Sequence, residues 1–157
     1  MNNKIFFHRS NSVFKNRISA FFIYEDNNIK NLNPFFNKKE IEKIGNYLTS
    51  QKYHKNESIF NFDYSKKNKI IFIKIKKNFF FNKFENLGAN FFTFIKKNNY
   101  NNLGFFCDSY FKNIKIYTQN DFNNILHFIH GFKIKSYNFD KYKKNLKENN
   151  KFSLNIF

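Results

Sequence analysis

The stretch that most limits what this chain can become is Lys69–Lys76, KIIFIKIK. Neighbouring side chains on a strand point to opposite sides, so the apolar run Ile70 to Ile73 makes both faces oily. A strand of this kind must be covered on both sides, and only its last residues alternate. The run therefore predicts a central strand of a sheet with helices above and below. Just before it, Ser58–Tyr64 (SIFNFDY) alternates Ile59, Asn61 and Asp63 against Phe60, Phe62 and Tyr64, the period of a strand with unlike faces. The polar link Ser65-Lys66-Lys67-Asn68 is short enough to make the two strands an antiparallel hairpin.

Other segments extend this plan. Ile18–Tyr24 (ISAFFIY) reads as a strand, ended by the turn composition Glu25-Asp26-Asn27-Asn28. After the break at Asn33-Pro34, Asn37 and Glu40 have the spacing of a capping box, and Ile41, Ile44 and Leu48 share one helix face up to about Gln51. A second helix spans about Asn82 to Asn98 on Phe84, Leu87, Gly88, Phe91, Phe94 and Ile95, with Gly88 and Ala89 permitting close approach to the sheet. Leu103–Cys107, Asn113–Tyr117 and Phe152–Phe157 read as further strands. Strands and helices interleave throughout, which predicts an α/β domain: a mixed β-sheet flanked by helices.

The last long helix begins near Thr118, a plausible N-cap, with Asp121 placed to accept from first-turn N–H groups. Phe122, Ile125, Leu126 and Ile129 follow the i, i+3, i+4, i+7 spacing of a core-facing stripe. Past Gly131 this period fails, and Tyr137, Phe139 and Tyr142 alternate with polar residues, so the helix is expected to end in a docked aromatic tail.

Gly131, Ser136-Tyr137, Phe139-Asp140 and Tyr142-Lys143 resemble the G…(A/S)Y-x-F-x-x-YK segment that closes the N-terminal domain of the leucyl aminopeptidases, the di-metal cytosol aminopeptidases, most of all the bacterial type. Asn138 stands where that family usually has Arg, and Lys76-Lys77-Asn78 stands where it usually has Gly-Leu-Gly. The resemblance implies a macro-like three-layer domain over residues 18–157, preceded by a basic extension, residues 1–17, that is disordered or targeting. It places the family's two divalent metals, Zn or Mn, and its catalytic residues in a larger C-terminal domain that this sequence does not contain. The expectation is a shortened or separately encoded N-terminal domain with no cofactor and no peptide hydrolysis of its own. The implied partner is a catalytic aminopeptidase chain or further copies of this one, and in some bacterial relatives the domain contributes to DNA binding.

Composition bears on the alternative. Asn (30), Lys (26), Phe (26) and Ile (18) make up 100 of 157 residues, and all four have codons built only from A and T. Base composition therefore accounts for much of the formal charge of +17. That charge still predicts salt-sensitive attraction to phosphate backbones. Lys74, Lys76 and Lys77 lie beside Phe79-Phe80-Phe81, an interleaving that suits stacking on single strands, so a basic nucleic-acid-binding protein is the second reading.

Chemical motifs are sparse. His127 and His130 are three apart on one helix but lack an evident third metal ligand, and read as surface histidines. Cys107-Asp108 could be cast as a nucleophile and its neighbour, but a lone strand cysteine reads first as a small core residue. The glycines at 45, 88, 104 and 131 form no phosphate loop. A single cysteine and no apolar run of about 18 residues suit a reducing, cytoplasmic setting, or an organelle if residues 1–17 act as a transit peptide.

Overall fold

The structure is a computed structural model, and it describes residues 4–7, 17–26, 29–50, 57–76, 80–112, 118–137 and 153–157. As KIIFIKIK requires, β4 (Lys69–Ile75) is an interior strand, with β2 (Ile18–Tyr24) parallel on one side and β3 (Ile59–Asp63) antiparallel on the other. The hairpin register sets Phe60 opposite Phe72 and Phe62 opposite Ile70. Beyond β2 the sheet continues through β5 (Asn102–Phe106), β6 (Ser153–Ile156) and β1 (Lys4–Phe7), giving the order β1-β6-β5-β2-β4-β3. Every neighbouring pair except β3 and β4 is parallel. Lys4–Phe7, which the sequence reading set apart with the N-terminal extension, thus supplies an edge strand paired with β6. The strand expected over residues 113–117 lies outside the described residues.

Helices cover both faces. On one side lie α1 (Lys38–Ser50) and the short 3-10 turn Lys30–Leu32, on the other α2 (Phe81–Lys97) and α4 (Gln119–Ser136), with a single turn, α3 (Asp108–Phe111), following β5. The strands divide their side chains between two cores. Phe21, Ile23, Ile70 and Phe72 face Leu32, Ile44 and Leu48, while Ala20, Phe22, Ile71 and Ile73 face Phe84, Phe91 and Phe128. Phenylalanine does most of the filling. Phe22 meets Phe105, Tyr110 and Phe128 edge-on at 5.3, 5.8 and 5.1 Å, and Phe106 stacks between Phe21 and Phe157 at 4.8 and 4.9 Å. Each such ring contributes about 1.5–3 kcal/mol on burial.

The caps follow the sequence. Asn37 Oδ1 accepts from Glu40 N at 3.1 Å and Asn37 N donates to Glu40 Oε2 at 2.8 Å, the reciprocal box that starts α1. Two expectations need correction. Gly88 approaches α4 rather than the sheet: a Cβ there would lie 1.9 Å from the carbonyl oxygen of Phe128. Nor does the helical period of α4 fail past Gly131. It runs on to Ser136, because Phe132 is buried and Ser136 Oγ donates to Lys133 O at 2.7 Å inside the last turn. Gly131 is kept mid-helix for the same reason as Gly88, since its own Cβ would meet Glu85 O at 1.9 Å. The two glycines let α2 and α4 cross with backbones almost touching.

Candidate interaction surface

That crossing sets the orientation of α4, and with it the face α4 leaves outside. Thr118 caps the helix in extended geometry and accepts from Asp121 N, while Asp121 Oδ2 accepts from Thr118 N and Oγ1 at 2.8 and 2.6 Å. Tyr110 of α3 donates to Asp121 Oδ1 at 3.2 Å and its hydroxyl accepts from Asn124 Nδ2 at 3.1 Å, which ties the start of α4 to the carboxyl end of β5. Burial, with Asp121 nearby, pushes the Tyr110 hydroxyl up to about 12, so it stays a donor.

The stripe that faces inward is Ile125, Phe128, Gly131, Phe132 and Ser136. This corrects the sequence reading, which also placed Phe122 and Leu126 against the core. Phe122 is 49% exposed and Leu126 61%, and further along the same row Ile134 is 52% exposed. The row Phe122, Leu126, His130, Ile134 advances by four residues per turn, so the four side chains stand one above another on the outer surface. Phe81, at the start of α2, extends the patch, its ring 5.2 Å from that of His127. Leu126 and Ile134 are large apolar side chains left in solvent on either side of His130, while Phe122 packs on the ring of Phe111 at 5.1 Å. Glu85 marks one border: its Oε2 lies 3.6 Å from Nδ1 of both His127 and His130. Such exposed pairs contribute at most about 1 kcal/mol. Among the described residues no three His, Cys, Asp or Glu side chains converge as a metal-ligand set.

The aromatic-tail motif is only partly within view. Gly131 serves the helix crossing and Ser136 the last turn, both structural tasks. Tyr137 is the C-cap of α4 and is 68% exposed, so at this position the tail is not docked as expected. Asn138, Phe139, Asp140, Tyr142 and Lys143 lie outside the described residues. Of the lysines named for nucleic acid, the two described ones, Lys74 and Lys76, are each engaged by a neighbour. Lys74 Nζ sits 5.0 Å over the Phe60 ring, where burial lowers its pKa; Lys76 pairs with Glu25 at 3.0 Å; Lys77 lies outside the described residues. Cys107 Sγ donates to Phe157 O at 3.1 Å, and burial together with Asp108 pushes the thiol up to about 11, far from a nucleophile's range.

Sequence reasoning missed Asn31 and Ser109, which close the carboxyl ends of β2 and β5. Asn31, fully buried, donates to Phe22 O at 2.7 Å and Ser109 O at 2.9 Å, and Ser109 Oγ accepts from Phe22 N at 2.8 Å. Nothing in a chain with 30 Asn residues singles out this one. No helix among the described residues is long and apolar enough to cross a membrane.

No family model and no curated protein matches the chain by sequence. Solved structures do match its fold. A mutant tomato leucine aminopeptidase superposes with TM-score 0.67 at 13% identity, over 99% of this chain and 32% of that one, so the chain spans about a third of that enzyme's length. The macrodomain of Thermus aquaticus DarG gives TM-score 0.65 at 9% identity over 99% of both chains, and that of Mycobacterium tuberculosis DarG gives 0.63 at 10%, over 99% of this chain and 98% of that one. With a mixed sheet, six-stranded among the described residues, between helical layers, the chain has a macro-like α/β fold, similar to the N-terminal domain of leucine aminopeptidase and to macrodomains.

Proposed function

We propose that this chain is a non-catalytic assembly module that docks through the outer face of α4 onto the catalytic chain of a metallo-aminopeptidase. The observation that carries the reading is the exposed row Phe122, Leu126 and Ile134, continued by Phe81, on a helix held rigidly by a close crossing. The likeness to about a third of a longer aminopeptidase supplies the class of partner. In this reading the two divalent metals and the peptide-cleaving groups belong to the partner. Covering Leu126 and Ile134 would contribute a few kcal/mol of binding energy, at about 1.5–3 kcal/mol for each fully buried side chain.

Tagged full-length chain recovered from its own cells tests this. The expected result is a co-purifying aminopeptidase chain, identified by mass spectrometry, with chelator-sensitive release of leucine from a leucyl anilide in the eluate. L126E/I134E, which changes only exposed positions, should lose both while keeping the wild-type melting temperature. Self-association lost in the same variant would assign the face to further copies of this chain instead. A monomer that recovers no peptidase overturns the proposal.

A further inference from the structure

The hairpin turn between β3 and β4 borders an open cavity of about 670 Å³ at the amino ends of β2 and β4, on the α1 side of the sheet. Ligand sites are commonly about 300–1,000 Å³. Five cations, Arg17, Lys43, Lys66, Lys67 and Lys69, line it against a single carboxylate, Asp63. Two of the five are engaged. Lys69 Nζ is ion-paired with Asp63, which holds its pKa above the ordinary value, and Lys43 Nζ donates to Tyr64 O at 2.5 Å while lying 4.7 Å over the Tyr64 ring. Arg17, Lys66 and Lys67 have no acidic partner among the described residues, and all three are exposed.

The cavity is also rigidly framed. Ser65 N donates to Asn68 O at 3.1 Å and Ser65 Oγ accepts from Asn68 N at 3.1 Å, so Lys66 and Lys67 occupy the middle of a closed turn. Lys69 N donates to Arg17 O at 2.9 Å, which pins that turn beside Arg17. Ile18 and the half-buried Tyr64 ring add an apolar wall. Uncompensated cations on a preorganised turn, next to an apolar wall, suit a multiply charged organic anion with hydrogen-bond acceptors. The site lies at the end of the strands opposite the carboxyl-end crevice where open α/β sheets usually hold ligands. It is independent of the α4 face.

We propose that this cavity binds a phosphate-bearing anion, with Arg17, Lys66 and Lys67 as its charged donors. The phosphate could come from a free phosphate ester or from a nucleic-acid backbone, and the test separates them. Pyrophosphate, ATP and a single-stranded oligonucleotide of about eight nucleotides are titrated into the full chain by calorimetry at about 150 mM salt. The expected result is saturable binding at one site that weakens by at least about tenfold, near 1.4 kcal/mol, in R17Q/K66Q/K67Q, whose exposed substitutions leave the melting temperature unchanged. The control K97Q/K112Q/K135Q, equal in charge but remote in sequence from the turn, should stay within about twofold. Pyrophosphate or ATP binding more tightly than the oligonucleotide assigns a free ester, and the reverse order assigns a backbone. Absence of binding by all three probes, or equal weakening in the two triple variants, overturns the proposal by reducing the cavity to net charge.

Discussion

Replacing Gly131 with alanine tests whether the α2–α4 crossing governs the fold. On an exposed helix this change would stabilise by about 1 kcal/mol, since glycine is the poorer helix former. Here the added Cβ would stand 1.9 Å from Glu85 O and 2.7 Å from Glu85 C, both backbone atoms of α2. Carbon–oxygen contacts start near 3.3 Å, so the helices must part by about 1.4 Å. That separation loosens the aromatic pairs bridging the crossing, Phe91 with Phe128 at 5.6 Å, Phe91 with Phe132 at 5.8 Å and Phe92 with Phe132 at 5.3 Å. Overpacking costs about 1–3 kcal/mol, and a clash with backbone belongs at the upper end. Less the propensity gain, G131A should lose about 2 kcal/mol, a fall of about 4–8 °C in melting temperature for a chain of this size. G88A, whose Cβ would meet Phe128 O at 1.9 Å, should behave alike. Gly45 of α1 is the internal control: its Cβ would meet only Ile29 Cδ1, at an ordinary 3.6 Å. G45A should therefore raise the midpoint by a few degrees, from about 1 kcal/mol of propensity. Thermal unfolding followed by far-UV circular dichroism compares the three directly. If G131A melts at or above the wild type, as G45A should, the close crossing is not what the fold depends on.

Three further outcomes follow from the polar contacts. T118A removes the α4 cap and should cost about 1 kcal/mol in urea unfolding. Burial alone would raise the Asp121 carboxyl, but donation from Thr118 and Tyr110 outweighs it and leaves the pKa below the ordinary value. That stabilisation is complete above the unfolded value of about 3.9 and is lost as pH falls through it toward the folded value, so D121N should flatten the acid limb of the stability curve. Cys107, raised to about 11, holds its proton when folded, so iodoacetamide at pH 8–9 should label it many-fold more slowly in the native chain than in urea. Its effect on stability has the opposite sign: it is intact below the unfolded thiol value of about 8.5 and is lost as pH climbs toward about 11. Equal labelling rates in the two states would contradict the buried contact with Phe157.

Legibility followed locality. The hairpin, the capping box of α1, the Thr118 cap of α4 and the two-faced burial of β4 rest on residues within a few positions of each other, and each was readable in order along the chain. The exposed α4 row was misread for a definite reason. Phe122, Ile125, Leu126 and Ile129 and the observed stripe Ile125, Phe128 and Phe132 are both valid helical rows on one phenylalanine-rich helix, and periodicity cannot choose between overlapping rows. The basic cavity was invisible because Arg17, Lys43 and Lys66 come from three stretches far apart in the chain, where lysine is everywhere.

The amino-acid sequence alone determined that a buried central strand would need helices on both sides, because consecutive apolar residues on a pleated backbone leave no face for water. Tertiary structure alone decided which side of α4 looks outward. Only the crossing with α2, where Gly88 and Gly131 bring backbone against backbone, sets the rotation of that helix and leaves Leu126 and Ile134 in solvent.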